Sequence, residues 1–260
     1  MKKLIALILA LIFTLSFTAC GAEEPASDLE YITKNGKIVI GITEFVPMDF
    51  QDENGEWIGF DADMANAFAE YLGVEAEFIV IDWDNKIFEL ENKSIDVVWN
   101  GMTLTDKVKN AMGCSDPYCK NAQVVVVKAD VADQYQDEAS LKDLAFAVEA
   151  GSAGKEIVES LGLNFTEVAY QSDALMEVAA GTSDACVIDL LMAGAMIGEG
   201  TAYPDLTYTV SLTSEDYVVG FRKGSDLVEK FNQFWADSCA EGTVLETAKI
   251  YGVQESVIIK

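Results

Sequence analysis

The sequence predicts an α/β protein of two lobes, each a largely parallel sheet wound on both faces by helices. Three observations carry that prediction. Residues 37–100 alternate strand-length apolar runs with segments of helical period, the βαβαβ order of a doubly wound lobe. The run "IDVVWN" (95–100) is apolar almost throughout, as a strand buried on both faces must be. "ELENKSIDVVWN" (89–100) and "EVAAGTSDACVI" (177–188) echo each other, Glu89 matching Glu177 and Asp96 matching Asp184 at an offset of 88 residues. A helix end, a small turn, an aspartate and an apolar strand thus occur twice, which points to two lobes of similar build.

The elements follow in order. "KIVIGI" (37–42) is a strand, and "ENGEW" (53–57) carries an Asn-Gly turn signal. "DADMANAFAEYLG" (61–73) has apolar positions at helical spacing, with Asp61 expected to cap it and Gly73 to end it. The strand "EAEFIVI" (75–81), the helix "NKIFELENK" (85–93) and the strand "IDVVWN" complete the first series. "QVVVVK" (123–128) is a further strand, leading to the acidic loop "ADVADQYQDEAS" (129–140). In the second series Ser140 is expected to cap a short "LKDL" helix, followed by the strand "AFAVEA" (145–150), the turn "GSAG" (151–154) and the helix "KEIVESLG" (155–162). The helix "DALMEVAAG" (173–181) and the strand "ACVID" (185–189) come next. "YVVGFRKG" (217–224) reads as a strand, Leu227 to about Glu241 as a long helix, and "TVLETAKIYG" (243–252) as a last one.

The N-terminal segment has the layout of a secretory leader: a basic "MKK", an apolar "LIALILALIFTL", and small residues before a cysteine. We expect residues 1–19 to be removed, Cys20 to accept a lipid anchor, and residues 20–29 to form a small, acidic tether. No later run approaches the ~20 apolar residues of a membrane helix. The 17 basic against 44 acidic side chains, a net charge of −27, exclude nucleic acid as a partner, since little is available to neutralise phosphates. With no histidine, the chain lacks a His-dependent triad and the commonest metal ligand, so neither a metal nor a cofactor is expected. Cys114 and Cys119 are spaced either for a disulfide or for two free thiols, and Cys186 inside "ACVI" reads as a small core residue.

Open α/β sheets bind ligands beyond the carboxyl ends of their strands. The loops that qualify are "TEFVPMDF", "DWDNK", "NGMTLT", "GSAG" and the segment starting at Asp189. "GSAGKE" is not a phosphate loop, because Glu149 stands where the first glycine should be and Glu156 where the hydroxyl should be. What remains there is a helix start with Ser152 beside it. Asp189 would point an acid into the cleft or cap the following helix. Phe45 and Trp83, at strand ends among acids, suit a stacking or cation–π surface.

Taken together, "GFDADMANAFAEYLG", "IDVVWNGMTLT", "SDPY", "GSAG", "CVIDLLMAG" and "EGTVLETAKIYG" resemble, in that order, the extracellular solute-binding proteins for polar amino acids. The resemblance covers residues 30 to 252. It implies a periplasmic-binding-protein-like fold of type II: two α/β lobes joined by a two-strand hinge, residues 30–125 with 217–260 as a discontinuous first lobe and 126–216 as the second, with crossings near Val125 and Tyr217. It further implies a monomer that captures a small polar ligand, an amino acid or related amine, for an ABC permease in the membrane. Asp189 would hold the ligand's ammonium group, flanked by Phe45 and Trp83. Asn100, Gly101 and Thr103, with Ser152 from the other lobe, would receive its carboxylate. The family's clamping arginine is absent, since Val108 occupies its place, and the only arginine is Arg222. Lys86 or Lys107 could supply the missing charge, although without the planar fork of a guanidinium. The same fold also hosts cleft enzymes of the dehydratase type, for which Asp189, Glu44 and Asp49 are the available acids, and ligand-sensing modules.

Overall fold

The computed structural model describes residues 26–259, so the leader and Cys20 lie outside the described residues. Two five-stranded sheets carry the architecture. The first runs in the spatial order Glu75–Val80, Lys37–Ile42, Val97–Val98, Gly220–Phe221 and Gly113–Cys114. Its first three strands are parallel, and Gly220–Phe221 is antiparallel to both of its neighbours. The second runs Asn164–Val168, Ala145–Glu149, Ala185–Asp189, Gln123–Lys128 and Leu206–Ser211. Here too the first three strands are parallel, and Gln123–Lys128 is antiparallel to both of its neighbours. This is the expected two-lobe α/β fold.

The internal echo is a structural repeat. In the first sheet Asp96 N–H donates to Val39 O at 2.7 Å, while Asp96 Oδ2 accepts from Val39 N–H at 3.0 Å. In the second, Asp184 N–H donates to Ala145 O at 2.9 Å and Asp184 Oδ2 accepts from Ala145 N–H at 2.9 Å. Each aspartate locks the entry of its strand to the neighbouring parallel strand, which fixes the register on which the buried face depends.

Between the sheets, Cys119–Asn121 pairs antiparallel with Glu215–Tyr217 as a two-stranded ribbon. The crossing expected near Val125 falls inside the second sheet, where Val125 pairs with Val187, so the strand that leaves the first sheet is Cys119–Asn121. "YVVGFRKG" is split between the ribbon and the first sheet for the same reason.

Two local expectations are corrected. Asp61 does not cap its helix, which spans Phe60–Leu72 from Gly59, because Pro47 O and Met48 O already accept from the N–H groups of Phe60 and Asp61. Ser140 is not a cap either; Asp137 accepts its N–H and starts the short 3₁₀ turn Glu138–Leu141. An unexpected helix, Asp28–Asn35, opens the described chain, capped by Ser27 and ended by Gly36 at φ 72°. Arg222 explains its position: the guanidinium bonds Asp28 at 2.8 Å and Asp96 at 2.9 Å, pinning that helix to the first sheet.

The core of the first lobe is aromatic. Phe68 of the helix Phe60–Leu72 meets Phe231 and Phe234 of the helix Leu227–Glu241 at centroid distances of 5.5 and 5.1 Å. Phe231, Phe234 and Trp235 fall on one face by their three- and four-residue spacing. Truncating Phe231 to alanine would cost about 3–5 kcal/mol. Cys114, Cys119, Cys186 and Cys239 are all free thiols, which decides between the two readings of Cys114 and Cys119.

Candidate ligand-binding cleft

The carboxyl ends of both sets of parallel strands meet at one cleft between the sheets. Its walls include Phe45, Trp83, Asn100, Gly101, Thr103, Ser152 and Asp189, so the structure brings together all the residues expected to hold a ligand. Their chemistry differs from residue to residue.

Gly101 sits at φ 54°, and a Cβ there would collide with the Phe45 ring and approach Tyr217 Cε2 at 3.0 Å. Its N–H donates to Asp61 Oδ2 at 2.7 Å, the same oxygen that accepts from Tyr118 Oη at 2.7 Å. Asp61, expected as a helix cap, is therefore the residue that positions the turn at Gly101. Asn100 has no capacity left for a ligand: its amide donates to Thr43 O and Asp49 Oδ2, and its oxygen accepts from Thr43 N–H and Oγ1. It acts as a staple behind the turn. Thr103 Oγ1 donates to Glu215 at 2.8 Å, so the hydroxyl proton faces the hinge. Its bridge to Tyr217 is carried by the flanking residues, which leaves the Thr103 N–H without a backbone partner among the described residues. Ser152 caps the helix Ala153–Ser160, accepting from Lys155 N–H and donating to Glu149 O.

In the family arginine's place, Val108 is buried with Ile81, Trp83 and Met102. The buried cation among the described residues of the cleft is Lys86, only 4% exposed. Its Nζ donates to Trp83 O at 2.9 Å and, across the cleft, to Gly151 O at 2.7 Å, leaving one N–H for a ligand. It lies 4.5 Å from the Trp83 ring centroid, so lysine already covers a face of that ring. Burial, then the nearby Lys107, lowers its pKa to about 8. Lys107 lines the same cleft but is half-exposed, 3.9 Å from Asp84. Gly151 lets the lobes meet this closely: at φ 70°, an added Cβ would lie 2.5 Å from Asp84 Cα.

On the other wall Asp189 is buried and begins a helix without capping it. Its Oδ1 accepts from Asn121 Nδ2, Gln123 Nε2 (3.0 Å) and Tyr217 Oη (2.7 Å); Oδ2 accepts from Gln171 Nε2 and retains capacity. Burial and then Glu215 push its pKa up. Asn121 and Gln123 also donate to Glu215 Oε1, at 2.7 and 2.8 Å. Two amides of the hinge region thus bridge a carboxyl of the second lobe to one on the returning strand. Glu149, a further cleft acid, ends the strand Ala145–Glu149 and is 3% exposed; burial, then Asp189, raises its pKa to about 8. Asn121, Gln123, Glu149 and Glu215 were not expected from the sequence; only the position of Glu149 at a strand end before "GSAG" could have marked one of them.

The profile of the bacterial extracellular solute-binding proteins, family 3, matches residues 38–254. The chain is 29% identical over 246 residues to the arginine-binding extracellular protein ArtP of Bacillus subtilis, covering 90% of this chain and 91% of that protein. It is 29% identical over 237 residues to a probable histidine-binding protein of Neisseria gonorrhoeae, covering 88% and 87%. Among solved structures, a mutant of ArgBP from T. maritima superposes with a TM-score of 0.80 at 31% identity, over 86% of this chain and 99% of that one. An ancestral amino acid-binding protein described as a precursor of cyclohexadienyl dehydratase matches with a TM-score of 0.80 at 30% identity, over 86% and 99%.

Proposed function

The chain belongs to the bacterial extracellular solute-binding proteins, family 3, and on that premise we propose that it is the amino-acid-binding component of an ABC importer. It acts as a monomer, held outside the cell membrane by a lipid on Cys20 after removal of residues 1–19, and delivers its ligand to a membrane permease. The lobes close about the ribbon of Cys119–Asn121 and Glu215–Tyr217.

One observation carries the reading: a buried lysine reaches from the first lobe to the second inside a cleft whose opposite wall holds a buried aspartate. A carboxylate entering beside Thr103 N–H meets the remaining N–H of Lys86. An ammonium group meets Asp189 Oδ2. Phe45 and Trp83 form the apolar floor. Charge-assisted hydrogen bonds of this kind contribute roughly 1.5–3 kcal/mol each. The ligand also relieves the cost of burying both protein charges, so binding and closure are favoured together.

Calorimetry of the purified protein against a panel of amino acids tests this. One ligand per chain and a smaller radius of gyration at saturation are expected. Chemical conversion of the ligand, or no binding across the panel, would overturn it.

A further inference from the structure

The cleft wall holds one more buried acid than an amino acid's α-ammonium group uses. Glu149 and Asp189 are both buried in its wall, and Gln171, which lines the same wall, donates Nε2 to Asp189 Oδ2. The same glutamine accepts Asp189 N–H through Oε1 at 2.8 Å, which fixes the amide's orientation. Among the described residues, the Glu149 side chain forms no ion pair.

Charges from every neighbouring element face this pair. Lys86 comes from the first lobe, with two donors already committed to carbonyls, and Lys107 stands further out beside Asp84. Against them stand Asp173 on the helix Gln171–Ala180, Glu156 on the helix Ala153–Ser160, and Glu215 on the hinge ribbon. The acids outnumber the bases around a buried pair. Two carboxylates buried in the wall of one cleft do not both ionise without a cation, since neighbouring like charges in low dielectric disfavour the charged form.

We propose that Glu149 selects the ligand's side chain by taking a guanidinium or ammonium group, and that in the empty cleft one proton held by the Glu149–Asp189 pair stands in for that cation and leaves as it binds. The inference rests on the amino-acid reading of the cleft. It makes the ligand a basic amino acid: one carboxylate for Lys86, one ammonium for Asp189 and one further cation for Glu149. The proton passes from the pair to solvent, so charge balance in the closed site is kept.

Arginine against citrulline, and lysine against norleucine, are matched probes that differ mainly in the terminal charge. Calorimetry at pH 6.5, in two buffers of different ionisation enthalpy, reads affinity and proton release together. We expect the basic member of each pair to bind roughly 10- to 150-fold more tightly, the range of one charge-assisted contact, with proton release approaching one per ligand. Glu149→Gln keeps the shape; it should abolish most of the release and bring each pair to within about 3-fold. Equal binding of charged and neutral probes by the unmodified protein, or binding of arginine and lysine without proton release, would overturn the role of Glu149 and leave the amino-acid cleft standing. Failure to bind any of the four would overturn the premise as well.

Discussion

Replacing Lys86 with methionine separates the stability of this protein from its affinity. Methionine preserves most of the volume and the contact with Trp83 but removes the ammonium group. In the closed state that group donates to Trp83 O and Gly151 O, and its third N–H is available to a ligand carboxylate. Loss of the carboxylate contact alone costs about 1.5–3 kcal/mol, which is roughly a 10- to 150-fold rise in Kd. The ligand-free protein should not suffer in parallel. Its pKa of about 8 records that burying this ammonium is unfavourable, and an apolar replacement removes that penalty. The assay pairs calorimetry with thermal melting in the absence of ligand. Affinity for an α-amino acid should fall by one to two orders of magnitude while the melting temperature stays within a few degrees or rises. Binding of agmatine, which is arginine without its carboxylate, should be affected much less than binding of arginine. An unchanged Kd for the amino acid, or equal losses for arginine and agmatine, would refute the assignment of Lys86 to the carboxylate.

Further expectations follow from the same geometry. In the Lys86→Met background, Val108→Arg should recover part of the lost affinity, because Val108 lines the cleft at the start of a helix; no recovery would show that this position cannot reach the carboxylate. Gly101→Ala places a Cβ against Phe45 at positive φ and should cost about 2–4 kcal/mol, read as a melting temperature lower by roughly 5–15 °C. Raised above its ordinary value of 4.5 to about 8, Glu149 holds a proton in the folded protein that the unfolded chain has released, so its contribution is complete below about pH 4.5 and lost as pH rises through about 8. Lys86, lowered from 10.5, works in the opposite sense only above about pH 8, so ligand-free melting temperatures should fall from pH 5 to pH 8; a flat or rising profile would count against it. Cys20→Ser should move the protein from the membrane fraction to the soluble one, and unchanged membrane retention would remove the lipid anchor from the reading.

The class of fold, the order of its elements and the loops that border the cleft are all legible in the amino-acid sequence. Apolar runs, helical spacing and the glycines at 73 and 181 depend on near neighbours, so local rules read them well; both glycines end their helices in the left-handed region. The 88-residue echo was legible because each lobe uses one aspartate to lock one strand entry. Only the tertiary structure decided which polar groups are spent and which are free. Asp61 has the sequence context of a cap, yet it serves Gly101, 40 residues away, because Pro47 and Met48 already satisfy its helix start. Asn100 sits on the binding loop, yet Thr43 and Asp49 exhaust its hydrogen-bonding capacity. Lys86 and Lys107 stood as equal candidates for the missing charge until Lys86 proved to be buried and to reach Gly151, 65 residues on. Glu149 was legible as a residue that spoils a phosphate loop, not as an acid inside a cleft. Periodicity reports which face of an element is apolar, whereas the partner of a buried charge is set by chain segments that meet only once the lobes have formed and closed.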